Sequence, residues 1–345
     1  MRIAIYGSGA IGTVLGSLLS EKGNQVDLFT RNTAHVEALQ QKGATIVGNM
    51  KKHIPVNAFS ANHLIEQYDL IFLATKVLEN KEVVPLLKEH LREKGIVCTL
   101  QNGVPEPLLV EILGPKAVVG CAVGWGATLL EAGVVELTSA ADAMVFNLGF
   151  WEGGDENNVK TVAQLLSTVG TAVIESNFIG ARWTKLLVNA AFSGMATVIG
   201  TPYAGVIDNK EARMLALCII KECIDVAKAS EIQLEPIQGK DVASLFDYRT
   251  RFKKFFAFHL IPLAMRKHRA LKPSMLQDYE RGRKTEIDAI NGAVCHQAAQ
   301  VGIRAEVNEK VVELIHAFEA KTATPSLSNL AAFEHLACLQ VRRHI

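Results

Sequence analysis

Apolar residues recur along this chain with two different periods, and the change from one to the other divides it. In the first half, short apolar runs of strand length alternate with segments of helical period. Arg2-Ile3-Ala4-Ile5-Tyr6 predicts a strand, after which Val14, Leu15, Leu18 and Leu19 repeat on one helix face until Lys22-Gly23. Residues 25–30 form the next predicted strand. Residues 69–74 are continuously apolar after Asp69, the pattern of a parallel strand buried on both faces. A helix over about 78–90 follows, then strands over 95–100 and 118–122. Residues 134–137 and 143–146 read as two short antiparallel strands joined by a loop, followed by a helix over 159–169 and a strand over 172–174. Beyond Asn177 the pattern is helical only, over 182–199, 210–230, 237–248, 252–268, 284–301 and 308–320. An α/β half followed by an all-helical half predicts two domains. We place a Rossmann-type α/β domain at 1–177, a helical substrate and catalytic domain at 178–321, and a C-terminal tail at 322–345.

Composition narrows the class. With 49% hydrophobic and 21% charged residues in 345, the chain can bury sizeable cores, and a net charge of +1 gives no electrostatic case for nucleic acid or an anionic membrane. No apolar run reaches membrane-spanning length, and a strand starting at residue 2 leaves no room for a signal peptide. The six cysteines are scattered without metal-site spacing, as expected for reduced thiols packed as small apolar groups in the cytoplasm. The apolar helix near Met214 to Ile220 allows a homodimer.

The turn after the first strand carries candidate chemistry. Gly7-Ser8-Gly9-Ala10-Ile11-Gly12 stands between a strand and a helix, the context in which Gly-x-Gly-x-x-Gly cradles a dinucleotide pyrophosphate. Gly7 allows the tight turn, Gly9 a close approach of the anion, and Gly12 close packing of helix on strand. All six residues are therefore expected to contact the cofactor. At the end of the second strand an NAD site carries Asp or Glu to accept from the ribose 2′-hydroxyl; this chain has Arg31, which suits a 2′-phosphate and predicts NADPH. Lys76 and Asn102 follow two later strands, on the edge where open α/β sheets bind ligands, and both are expected to point into the cofactor crevice as cofactor-binding residues.

In the helical half, Lys185, Asn189 and Ser193 recur at i, i+4 and i+8 within an otherwise apolar segment. That spacing predicts one polar stripe on a single helix. A lysine on such a stripe is a candidate proton donor.

Gly7–Gly12, Arg31, Thr75-Lys76, Gln101-Asn102-Gly103, Trp183-x-Lys185-x-x-x-Asn189, Pro273-Ser274-Met275-Leu276-Gln277-Asp278 and Thr285-Glu286-Ile287-Asp288-x-x-Asn291-Gly292 together resemble the ketopantoate reductases. These belong to the 6-phosphogluconate-dehydrogenase-like group of two-domain reductases. The resemblance implies NADPH-dependent reduction of 2-dehydropantoate to pantoate, a step toward coenzyme A. It also implies that Lys185 is the catalytic lysine with Glu286 as its acidic counterpart, and that Asn102, Asn189 and Ser274 position the substrate. Lys76 and Arg31 would contact the cofactor. Ser193 stands where the family often has Asn, and the basic and aromatic stretch 251–269 is unlike better-known members. Ser193 is kept as a shorter substrate contact. Two other readings remain open: reduction of another small branched 2-oxo acid, and a non-catalytic NADPH-binding redox sensor.

Overall fold

In the computed structural model, residues 1–236 and 241–336 are described. The chain forms two compact units, Met1–Phe178 and Ile179–Ile345. The strands are β1 (Arg2–Tyr6), β2 (Gln25–Thr30), β3 (Ala44–Gly48), β4 (Lys52–Ile54), β5 (Asn57–Ser60) and β6 (Tyr68–Leu73). They continue with β7 (Leu91–Thr99), β8 (Val118–Val123), β9 (Ala127–Glu131), β10 (Val134–Leu137), β11 (Val145–Gly149) and β12 (Thr171–Ile174). Five helices accompany them: α1 (Ala10–Glu21), α2 (Thr33–Lys42), α3 (Asn80–Glu89), α4 (Glu106–Leu113) and α5 (Glu156–Leu166).

Eight strands form one sheet in the order β12-β11-β8-β7-β6-β1-β2-β5. From β8 to β5 every pairing is parallel, while β11 runs antiparallel to β8. Alternate residues of β1 feed opposite faces: Ile3 and Ile5 join a core with α1 and α5, whereas Ala4 and Tyr6 join one with α3 and α4. Burial on both faces explains the continuous apolar runs. The chain leaves β1 toward β2 on one side and returns as β6 on the other, so the crevice off the ends of β1, β2 and β6 is the switch point where such sheets take ligands.

The remaining strands correct one expectation. Residues 134–137 and 143–146 do not pair with each other. Strand β10 pairs instead with β9 and β3 in a separate four-stranded sheet, and β11 joins the main sheet. The short Ala132-Gly133 connection, with Gly133 at φ +79°, closes the β9–β10 hairpin and fixes that partner. This small sheet lies over α1.

The second unit is helical throughout its described residues. Its helices are α6 (Phe178–Val188), α7 (Met195–Ile199), α8 (Tyr203–Asp208), α9 (Lys210–Ala229) and α10 (Val242–Phe246). They continue as α11 (Arg251–Ala264), α12 (Ser274–Glu280), α13 (Asn291–Gln300) and α14 (Glu306–Glu319). Helix α9 is the hub, packed by α8, α11, α13 and α14. Leu215 to Ile220 are all buried there, so the apolar run expected to serve a dimer is interior packing. Of the helix predicted over 237–248, only Val242–Phe246 is seen, started by Asp241 accepting from Ser244 N; residues 237–240 lie outside the described residues. The helix predicted over 284–301 begins only at Asn291. Glu319 takes the N–H and hydroxyl of Thr285 at 2.7 and 2.8 Å, which holds 285–290 out of helical register. Part of the predicted tail packs into this unit: Ser326 N and Asn329 Nδ2 both donate to Val198 O, and Phe333 is fully buried. Residues 337–345, with Cys338, lie outside the described residues. Among the described residues no helix is long and apolar enough to cross a membrane.

Candidate active site

At two of its three glycines the Gly7–Gly12 turn is built by contacts that leave no room for a side chain. Gly7 adopts φ +105°, and a Cβ there would sit 2.5 Å from Thr75 N. A Cβ on Gly12 would lie 2.5 Å from Gly7 O, so α1 can start this close to β1 only with glycine. Around Gly9 there is open space. The N–H groups of Gly7 and Ser8 both donate to Phe29 O, and the Ser8 hydroxyl turns inward to Ile5 O. Ser8 is thus a structural member of the turn. The donors available to an anion are those of the first turn of α1, at Ala10, Ile11 and Gly12, which by helix geometry lack intrahelical acceptors.

A buried relay fixes that turn from behind. Gly133 N donates to His35 Nδ1 at 2.9 Å, which leaves the proton on Nε2 to donate to Thr13 Oγ1 at 3.0 Å. Thr13 in turn donates to Ser8 O. Burial lowers the His35 pKa, consistent with this neutral tautomer.

Beside the turn lies a cavity of about 290 Å³ lined by Tyr6, Gly7, Gly9, Phe29, Thr30, Arg31, Asn32, Ala61, Ala74, Thr75, Lys76, Glu79 and Val83. Its rim cations are Arg31 and Lys76. Glu79, at the end of a single 3₁₀ turn (Val77–Glu79), forms an ion pair with Arg31. Burial raises the Tyr6 phenol pKa, with Arg31 pulling it down and Glu79 pushing it up. Thr75 Oγ1 is buried without a partner among the described residues.

The loops carrying Lys76 and Asn102 are tied together. Asn80 Nδ2 donates to Gln101 Oε1 at 3.0 Å, and Gln101 Nε2 donates back to Asn80 Oδ1 at 2.7 Å and to Thr75 O at 2.9 Å. Thr99 donates to the same Gln101 oxygen. Two buried amides paired face to face hold both strand ends in one register, with Asn102 half-buried beside them. An open cradle at Gly9, unpaired first-turn donors, an orphaned Thr75 hydroxyl and two rim cations fit a dinucleotide.

In the helical unit Lys185 and Asn189 are both half-buried, but the polar stripe stops there. Residues Asn189–Gly194 wind as a π-helix, in which bonds span five residues rather than four. The i+4 step therefore no longer returns to the same face. Ser193 points inward, 6% exposed, with its hydroxyl 2.7 Å from the Tyr203 hydroxyl. The structure thus gives this hydroxyl an internal partner in the helical unit.

The π turn is pinned by side chains that sequence reasoning did not single out as functional. Asn291 Nδ2 donates to Ala190 O at 3.2 Å and to Asn308 Oδ1 at 2.9 Å. Asn308 Nδ2 donates to Glu222 at 2.7 Å, and the same carboxylate caps α14 through Val307 N and Asn308 N. Gly194 leaves room for Asn291, since a Cβ there would lie 2.8 Å from its amide oxygen. Burial pushes the Glu222 pKa up to about 7 against these hydrogen bonds. A lone Glu on the apolar face of α9, and Asn at the starts of α13 and α14, were the available signals. Glu286 is half-buried just before Ile287–Ala289, on the segment that Thr285 and Asn291 anchor at its two ends. Ser274 is exposed at the first position of α12, a helix that packs on the π turn. A larger open groove of about 430 Å³, bordered by Arg304, Glu306, Glu309, Lys310 and Glu313, contains none of these residues.

Sequence and structure comparisons converge on one family. The sequence model described as ketopantoate reductase PanE/ApbA matches residues 3–149, and that of the family's C-terminal region matches 177–319. The 2-dehydropantoate 2-reductase of Pyrococcus horikoshii is 28% identical over 321 residues, covering 93% of this chain and 98% of that protein. The enzyme of the same name from Lactococcus lactis is 28% identical over 329 residues, covering 92% and 98%. Among solved structures, D-mandelate dehydrogenase in complex with NADH is 25% identical with a TM-score of 0.77, covering 94% of this chain and all of that one. The 2-dehydropantoate 2-reductase of Geobacter metallireducens is also 25% identical, with a TM-score of 0.75 and coverage of 92% and 99%. The chain belongs to the ketopantoate reductase PanE/ApbA family.

Proposed function

We propose that this oxidoreductase reduces 2-dehydropantoate to pantoate with NADPH. The observation that carries the reading is that the family match covers both halves, the glycine turn and the helical unit with Lys185. A redox sensor needs only the first of these. The first turn of α1 would hold the pyrophosphate, and Arg31 and Lys76 would meet the adenosine end with its 2′-phosphate. When bound, the nicotinamide supplies the hydride for the C2 carbonyl carbon. The chain's own task is the oxygen, on which charge develops as that carbon is reduced.

Lys185 Nζ donates the proton that completes the new hydroxyl. In this reading Glu286, half-buried on the segment before Ile287–Ala289, is the acidic counterpart of Lys185. Asn102, Asn189 and Ser274 hold the substrate hydroxyl and carboxylate, and each side chain can donate the hydrogen bonds this needs. The likeness to D-mandelate dehydrogenase favours a specific second reading, reduction of another 2-oxo acid. Purified protein with NADPH and a panel of 2-oxo acids separates the two by loss of reduced-nicotinamide absorbance. The expected result is the highest kcat/KM with 2-dehydropantoate. A higher value with an aromatic or shorter 2-oxo acid would replace the substrate, and no turnover with any would favour the sensor.

A further inference from the structure

The adenosine end of the cavity carries a charge that Arg31 alone did not lead one to expect. Glu79 pairs with Arg31, and its side chain is only 19% exposed against 69% for the arginine. The carboxylate is therefore part of the cavity wall, and the arginine reaches across it. With Lys76 the rim holds two cations and one anion. A 2′-phosphate carries close to two negative charges at neutral pH and must compete with Glu79 for the guanidinium. A 2′-hydroxyl has the opposite need. It seeks a carboxylate acceptor, the role that Asp or Glu plays at the end of the second strand in NAD sites. Here that acceptor comes from the loop after β6, 48 residues after Arg31 in the chain.

We infer that Glu79 sets the cofactor preference of this enzyme, accepting from the 2′-hydroxyl of NADH and opposing the 2′-phosphate of NADPH, so that both cofactors are used. The inference rests on the reading that the Gly7–Gly12 turn holds a nicotinamide dinucleotide. Neutralising the carboxylate while keeping its shape, as in Glu79→Gln, removes the repulsion and weakens the acceptor together. The two cofactors should then move in opposite directions.

The test is direct titration of wild-type and Glu79→Gln protein with NADPH and with NADH, followed by calorimetry, without substrate. Thermal unfolding of both proteins checks that the exchange leaves the fold intact. The wild type should bind both cofactors. In the variant, NADPH should tighten and NADH weaken by about threefold each, the size of one partly exposed charge interaction, moving their ratio by roughly tenfold. Arg31→Ala should shift the ratio the other way, toward NADH. Equal changes for both cofactors, or none, would overturn the role of Glu79 while leaving the dinucleotide site standing. Failure of the wild type to bind either cofactor would instead remove the underlying reading and the inference with it.

Discussion

The glycine turn of the first unit and the π turn of the helical unit both present polar groups at a helix end, but they are built in opposite ways. At Gly7 and Gly12 the backbone does the work, and side chains are absent because neighbouring backbone would collide with them, while Gly9 leaves open space for the ligand. At Asn189–Gly194 the backbone departs from the regular helix and is held there by amides and a carboxylate from three other helices. A site made by omission leaves glycines in the sequence, at fixed spacing. A site made by bracing leaves scattered Asn and Glu residues far apart in the chain, and only the fold connects them.

The largest effect that would sharpen this contrast is at Gly12. Gly12→Val drives branched carbons into Gly7 O and Ile5, and we expect a loss of about 3 kcal/mol in stability, typical of overpacking, with no measurable cofactor binding. Gly9→Ala enters open space, so unfolding should be unchanged while cofactor affinity falls. If both variants unfold alike, the distinction between a packing glycine and a cradle glycine fails.

The bracing of the π turn should reveal itself through pH. Glu222 titrates near 7 in the folded protein because it is buried, against an ordinary value of 4.5. The native state therefore favours its protonated form. The stability this gives is complete below pH 4.5, falls as pH rises toward 7 and is gone above it. Linkage puts the total near 3 kcal/mol, at about 1.4 kcal/mol per unit. Glu222→Gln should flatten the denaturation midpoint between pH 4.5 and 7. An unchanged slope in the variant would assign the pH dependence to other groups.

Asn291→Ala should cost about 2 kcal/mol, since it leaves Asn308 with an unmet buried acceptor. It should also lower kcat while leaving cofactor affinity, measured without substrate, where it was. A parallel loss of cofactor affinity would contradict the assignment of Asn291 to the π turn. Smallest of all should be Ser193→Ala. With its hydroxyl on Tyr203 rather than on substrate, KM should change by less than about twofold, the scale of one weak hydrogen bond. Asn189→Ala should raise KM by clearly more.

These contrasts also explain what the sequence could convey. The parallel strands were readable because burial on both faces makes them continuously apolar, and α1 because its core face repeats with helical period. Strands β3, β4, β5 and β9 were not, being short and mostly half-exposed. Without β9 in view, residues 134–137 have no visible partner but 143–146, although β10 pairs with β9 and β3. The turn made by Gly7 and Gly12 is legible through its motif, and Arg31 and Lys76 follow from their positions at strand ends to the cavity they line, whereas Glu79 is hidden because it reaches Arg31 only in the folded sheet. The Lys185–Asn189–Ser193 stripe holds only on an ideal helix, and no residue between them announces the π winding that turns Ser193 inward.

If Lys185 supplies the proton for a carbonyl reduced by a dinucleotide held at the glycine turn, its loss must slow the reduction itself. The most direct test is single-turnover reduction of 2-dehydropantoate by the NADPH complex of Lys185→Ala, alongside direct measurement of NADPH affinity. The rate should fall by about 10² to 10⁴, the range for a lost general acid, with NADPH affinity unchanged. Near-wild-type turnover in that variant would contradict it.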